Sequence, residues 1–393
     1  MKEQVSIYLH IPFCQKRCSY CDFNTYSGMN RFIPGYINQL QKELEFYGQN
    51  INEDWEVKTI FFGGGTPSLL KEQHFSQLFT TLKKEFEIIS DAEISLEANP
   101  GTVNAVYLDN LRKLGINRIS FGLQTSNPGQ LALLGRIHDH FQSIEAIAWA
   151  KKVGFSNINL DLIYGLPTQT LEAWKKTLED GIRLETQHIS LYALGIEENT
   201  PLFDWVEKGL VENPDPDLAA EMYEMADEIL LRNGYECYEI SNYFKKDENH
   251  DFRCQHNLQY WQNKPYLGLG AGAHGFFKGY RYENVAGIGE YINLMKKNEL
   301  SKKDHSPVIL HETPIDEFTE MQETMMVGLR LVKAGVSIQD FQKRYNQSPL
   351  TVFKKEIGSL MNKHLLEIID EDAIRLTKKA RLLGNLVFQQ FVN

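Results

Sequence analysis

The sequence predicts an α/β protein: an open, partial (β/α)6 barrel followed by a small, winged-helix-like C-terminal domain. Short apolar runs alternate with helical periods as far as about residue 195. Strands that alternate with helices form parallel βαβ units. Six such units fall short of the eight that close a (β/α) barrel. The notable polar and glycine-rich residues gather where the strands end, and in a parallel barrel those ends share one face.

Taken in order, the strands are Val5–Leu9, Val57–Phe62, Glu93–Glu97, Asn117–Phe121, Asn157–Leu162 and Gln187–Leu191. Between them, Phe75, Leu78, Phe79, Leu82 and Phe86 share one helical face. So do Leu171, Trp174, Leu178 and Ile182, behind an N-cap at Thr170. Gly115 and Gly154 stand where two helices stop. Tyr235–Glu239 reads as one more strand, and Ser241–Lys264 as a long loop without helical period. The stretch Gly268–Gly275 permits close backbone packing. A polar, proline-interrupted segment, Asn298–Pro314, marks a boundary. Beyond it, Phe318, Met321, Met325 and Leu329 form one helix face, and Ser337 caps a second helix. Phe353, Ile357 and Leu360 face inward from a third, Leu365–Ile369 and Ala373–Thr377 form a hairpin, and a last helix runs to Phe391. The expected domains are 1–235 for the barrel, 236–305 for an extension, and 306–393 for the C-terminal domain.

A formal charge of -11 argues against nucleic acid as the main partner. From residue 311 onward acidic and basic residues are equal in number, so no basic stripe supports DNA binding there. Met1-Lys2-Glu3-Gln4 has no apolar signal region, and no run is long enough to span a membrane. The expectation is a cytoplasmic protein. Five cysteines, three of them in one motif, fit a reducing compartment rather than a disulfide framework.

That motif, Cys14-Gln-Lys-Arg-Cys18-Ser-Tyr-Cys21, follows the first strand. Its spacing aims three thiolates at one object, and short cysteine runs of this kind hold iron–sulfur clusters. Three ligands leave one iron of a cubane open to a small molecule. A zinc site completed by a histidine such as His10 is the alternative. Gly63-Gly64-Gly65-Thr66-Pro67 ends the second strand and exposes bare backbone. Glu97 ends the third, Gln124 and Arg136 follow the fourth, and Asp161 ends the fifth. An open iron chelates an amine and a carboxylate, acids accept from a ribose or an amine, and Arg136 pairs with a carboxylate. The set suits S-adenosylmethionine better than a nucleoside triphosphate, because the glycine run lacks the Lys-Ser/Thr of a phosphate loop.

The Cys-x3-Cys-x2-Cys motif with the Gly-Gly-Gly-Thr-Pro run resembles the radical S-adenosylmethionine superfamily. Tyr8–Cys14, Phe62–Ser68, Arg118–Gln124 and Asp161–Pro167 resemble its oxygen-independent coproporphyrinogen III oxidase group. The resemblance covers nearly the whole chain. It implies that Cys14, Cys18 and Cys21 ligate a [4Fe–4S] cluster. It implies contacts to S-adenosylmethionine from Tyr8, Gly64, Gly65, Thr66, Glu97, Gln124, Arg136 and Asp161, with Gly195 as a further one.

Two departures redirect the reading. The oxidases carry a fourth cysteine two residues after the third, where this chain has Phe23. The run His256-Asn257-Leu258-Gln259-Tyr260-Trp261 resembles the HemW branch, the haem chaperones. That branch implies binding haem and handing it to haem-requiring proteins such as respiratory enzymes. His256 is then the candidate axial ligand, with Cys254 and His274 as alternatives, and Tyr260 and Trp261 as packing for the macrocycle. The bland alternative is that these residues anchor the loop. Three functions stay open: a haem chaperone, a coproporphyrinogen oxidase, and a structural metalloprotein.

Overall fold

The computed structural model describes residues 2–50, 55–297 and 305–392. The chain forms two compact units, Met1–Ile229 with Pro265–Thr313, and Leu230–Lys264 with Pro314–Asn393.

In the first unit, six strands are joined by helices. They are β1 (Glu3–Ile11), β2 (Trp55–Gly64), β3 (Ile88–Ala98), β4 (Arg118–Gln124), β5 (Asn157–Tyr164) and β6 (His188–Ala193). The main helices between them are α1 (Ile33–Asn50), α2 (Glu72–Glu85), α3 (Ala105–Leu114), α4 (His140–Lys152) and α5 (Leu171–Arg183). The six strands pair in sequence order, all parallel. The two helices whose periodicity marks a face, α2 and α5, bury it. On α2, Phe75, Leu78, Phe79 and Leu82 are buried, and on α5, Trp174 and Leu178 are. Thr170 caps α5 by accepting from the Ala173 N–H. The six-unit open barrel expected from the sequence is therefore the fold observed.

The sheet also grows on the other side of β1, where the sequence shows no strand pattern. Tyr266–Leu269 pairs parallel with β1. A hairpin, His274–Phe277 with Tyr280–Asn284, continues it antiparallel. Glycines within Gly268–Gly275 mask the apolar alternation by which strands are read. Residues 236–305, read from the sequence as one extension, consequently divide between the two units. Part of the boundary placed at Asn298–Pro314 lies outside the described residues.

The second unit differs from its reading in one stretch. Ser241–Lys264, expected as a loop, contains the strand Asn242–Lys245 and the helix Gln255–Trp261. That helix buries His256, Leu258 and Gln259, so two of its three inward positions are polar and carry no apolar signal. Farther on, the helix Glu317–Gly328 buries Met321 and Met325, with Leu329 just beyond, but Phe318 is exposed and stacks on Phe353. Ser337 caps Ile338–Tyr345 by accepting from the Asp340 N–H. Phe353, Ile357 and Leu360 are buried, and Leu366–Ile369 pairs antiparallel with Ala373–Leu376. Val336–Ser337 adds a third strand to that hairpin. Helices feeding a small three-stranded sheet are the winged-helix-like arrangement expected.

Candidate functional site

The cysteine loop is closed at its base. Phe13–Cys14 pairs with Tyr26–Ser27, and the Ser19 N–H and hydroxyl donate to Leu134 and Leu133 carbonyls. The Asn24 amide donates to the carbonyls of Ala271 and Ala286, 3.0 Å each. His10 Nε2 lies 2.9 Å from the Asn24 carbonyl, so this nitrogen carries the proton. Its Nδ1 then accepts from the Tyr8 hydroxyl at 3.0 Å. With both nitrogens engaged and the ring buried, His10 is not poised to complete a zinc site.

The strand ends converge as the sequence implied. Cys14, Cys18, Cys21, Gly64, Gly65, Thr66, Glu97, Gln124, Arg136, Asp161 and Gly195 all line one cleft of 380 Å³. Tyr8 is not among its lining residues; its ring stacks on Phe61, with its hydroxyl on His10. His256 belongs to the second unit and is not among the lining residues.

Local backbone explains several placements. Gly64 has φ +110°, and a Cβ there would meet the His10 ring at 2.5 Å. Only glycine tolerates both. Its N–H donates to Glu97 Oε2 at 3.0 Å. The β4–β5 register shifts between Gly122 and Gln124, and Gln124 takes φ 68°. Such a bulge re-aims a side chain at a strand end. A Cβ at Gly122 would sit 2.8 Å from Arg136 Nη2, which donates to the Gly122 carbonyl at 2.9 Å.

Burial sets the electrostatics. Glu97 is pushed up to about 7, first by burial and then by the nearby Asp161 charge. Burial also raises Asp161, while hydrogen bonds from Ser120 and Asn159 pull the other way. Those bonds measure 2.9 and 2.8 Å. The network continues from Asn159 to His188 at 2.6 Å. Burial opposes the Arg136 charge, yet Tyr20, the Cys18 sulfur and Asp161 hold its pKa up. Burial likewise pushes the Cys14 and Cys21 thiols up.

Sequence reasoning missed Ser120, Tyr20 and Tyr192, which also line the cleft, and Asn159 beneath it. Ser120 with Gly122, and Asn159 with Asp161, are spaced by two on adjacent strands, so each pair shares a face. Polar residues at such inward positions were the available signal.

The cleft fits a cluster with a small polar ligand. Three free cysteines face it, close enough for their charges to interact. Gln124 Oε1 and Arg136 Nε are buried without a hydrogen-bond partner and await one. Phe23 is 64% exposed on the same lining.

The haem candidates differ in access. His256 is 1% exposed, and its Nε2 lies 2.9 Å from the Tyr260 hydroxyl. Cys254 is buried, with its N–H on the Tyr238 hydroxyl. Arg330 stacks over the Trp261 ring. His256 thus turns its imidazole to Tyr260 within its own helix. His274 in the first unit is exposed, its Nδ1 3.9 Å from Glu283.

Residues 8–181 match the Radical SAM superfamily, and residues 315–383 match the HemN C-terminal domain. The chain is 36% identical to heme chaperone HemW of Bacillus subtilis (strain 168) over 388 residues, 98% of this chain and 99% of that one. It is 40% identical to heme chaperone HemW of Escherichia coli (strain K12) over 276 residues, covering 69% and 70%. It is 33% identical to the mitochondrial radical S-adenosyl methionine domain-containing protein 1 of Bos taurus, covering 95% and 84%. The solved structure of E. coli coproporphyrinogen III oxidase (HemN), a radical SAM enzyme, superposes with TM-score 0.83 at 22% identity, covering 99% of this chain and 90% of that one. At that identity the likeness speaks for the fold alone.

Proposed function

The chain belongs to the HemW family of the radical SAM superfamily, and on that premise we propose that it is a haem chaperone. It binds haem and delivers it to haem-requiring proteins, respiratory enzymes among them, from the cytoplasm. Cys14, Cys18 and Cys21 hold a [4Fe–4S] cluster. A cluster held there would supply an iron for S-adenosylmethionine and a one-electron couple. Around it, Gly64, Gly65 and Thr66 supply close backbone, Glu97 and Asp161 accept from amine and hydroxyl groups, and Gln124 and Arg136 turn buried polar atoms toward the ligand. Gly195 borders the same space. Tyr8 acts behind His10 rather than in the cleft.

The single observation that carries the choice over the oxidase is Phe23. It stands where the oxidases have a fourth cysteine, and its exposed ring lines the cleft. Haem ligation by His256 requires the helix Gln255–Trp261 to open, because its imidazole is buried against Tyr260. His274 is reachable without such opening.

The test uses anaerobically reconstituted protein. Haem titration should give a saturable Soret band. Incubation with coproporphyrinogen III, S-adenosylmethionine and a reductant should give no protoporphyrinogen IX. Turnover without haem binding would overturn the chaperone and establish the oxidase instead.

A further inference from the structure

Each sulfur of the cysteine motif meets a donor from a different part of the barrel. The Thr66 hydroxyl, at the end of β2, donates to Cys14 Sγ at 3.6 Å. Arg136 Nη1, after β4, donates to Cys18 Sγ at 3.4 Å. The Thr25 hydroxyl, inside the cysteine loop, lies 3.8 Å from Cys21 Sγ. The sulfurs here are free thiols standing in for cluster-bound thiolates. A thiolate has no hydrogen, so with the cluster in place the Thr25 hydroxyl can only be the donor.

Nothing in the loop's own folding calls for this set. Thr25 is buried although the loop is already tied by Ser19, Asn24 and Tyr26. Arg136 spends one guanidinium nitrogen on the Gly122 carbonyl and a second on the sulfur, leaving Nε for a ligand. Hydrogen bonds to the sulfurs are among the levers that set the potential of an iron–sulfur cluster. The added electron raises negative charge on the sulfurs, so a donor stabilises the reduced form more than the oxidised one.

Resting on the proposal that the cysteines hold a [4Fe–4S] cluster, we infer that Thr66, Arg136 and Thr25 are positioning residues that raise its reduction potential by donating to the cysteine sulfurs. The fold thereby fixes the cluster's one-electron poise in the protein, before S-adenosylmethionine or haem is present.

The experiment compares valine with serine. Thr66→Val and Thr25→Val keep the shape and remove the hydroxyl, and Thr66→Ser and Thr25→Ser keep the hydroxyl. Full-length protein is reconstituted anaerobically without S-adenosylmethionine, its iron and sulfide are counted, and its potential is read by an EPR-monitored titration. Both valine variants should titrate at lower potential than wild type, with a shifted Fe–S(Cys) stretch in resonance Raman. The serine variants should titrate as wild type does. Arg136→Gln, which removes the charge, should also fall. Valine and serine variants with full clusters and equal potentials would overturn the inference. Valine variants that fail to load while serine variants load would overturn it too, making the hydroxyls assembly groups. A wild-type protein that takes up no cluster would instead defeat the proposed function.

Discussion

Asp161 illustrates what a single buried acid does here. Its carboxylate accepts from Ser120 and Asn159, and the same network fixes Asn159 against His188. Asp161→Ala removes the acceptor proposed for S-adenosylmethionine and takes the carboxylate away from the Ser120 hydroxyl, while the Asn159 amide keeps its bond to Ser120. A lost bond to a charged group costs ~1.5–3 kcal/mol, so S-adenosylmethionine affinity in calorimetry should fall about tenfold or more. Thermal stability without ligand should fall as well. Equal affinity in wild type and variant would remove Asp161 from the contact set. His256 is the opposite case, a residue singled out by motif and then found packed. His256→Ala removes a buried imidazole and its hydrogen bond with the Tyr260 hydroxyl, at a net cost of ~0.5–1.5 kcal/mol for the bond. The expected outcome is lower stability in denaturant unfolding and an unchanged Soret titration. A lost Soret band would show that the helix opens to present the imidazole. The motif residues were legible because their types are rare in combination. Whether each faced a cleft or a core was not, because a side chain's surroundings are set by elements far away in sequence.

At the scale of elements, α1 is tied to the glycine-rich stretch through Glu43. Its carboxyl accepts from the Gly270 N–H at 2.8 Å, the Asn284 amide at 3.0 Å and the Tyr291 hydroxyl at 2.7 Å. Burial, partly offset by these bonds, pushes Glu43 up to about 7. A carboxyl raised on folding contributes stability that is full below its unfolded value and is lost as pH rises through the folded one. Protein without cluster should therefore weaken between about pH 4.5 and pH 7. Glu97 and Glu239 have the same sign. Denaturant unfolding at pH 5 and pH 8 should show a smaller loss for Glu43→Gln than for wild type, by up to about 3 kcal/mol. An identical loss would mean that Glu43 stays ionised in the fold. Strands and caps were legible here, from β1 to the Ser337 cap, because alternation and capping are local. The strand Tyr266–Leu269 and the helix Gln255–Trp261 were not. Glycines hide the period of the first, and buried polar residues hide that of the second.

For the whole molecule, the cysteines divide by position. Cys14, Cys18 and Cys21 line the cleft, whereas Cys237 donates to the Glu239 carbonyl and Cys254 stands buried at the start of a helix in the second unit. Changing the first three together to serine should abolish iron loading and leave the fold by circular dichroism. Cys237→Ser and Cys254→Ser should retain iron. Iron bound by the triple variant would relocate the cluster. Among the described residues no helix is long and apolar enough to cross a membrane. The sequence by itself determined the six parallel units and the face on which their polar ends meet. Strand–helix alternation leaves little freedom in direction or handedness. It also determined the cysteine spacing. Only the tertiary structure decided which donors reach the sulfurs, that Asn159 backs Asp161, and that His256 lies in a core. These rest on contacts such as Arg136 to Cys18 and Asn24 to Ala286, 118 and 262 residues apart. Local pattern carries no information about pairings at that separation, because packing fixes them only after the elements assemble.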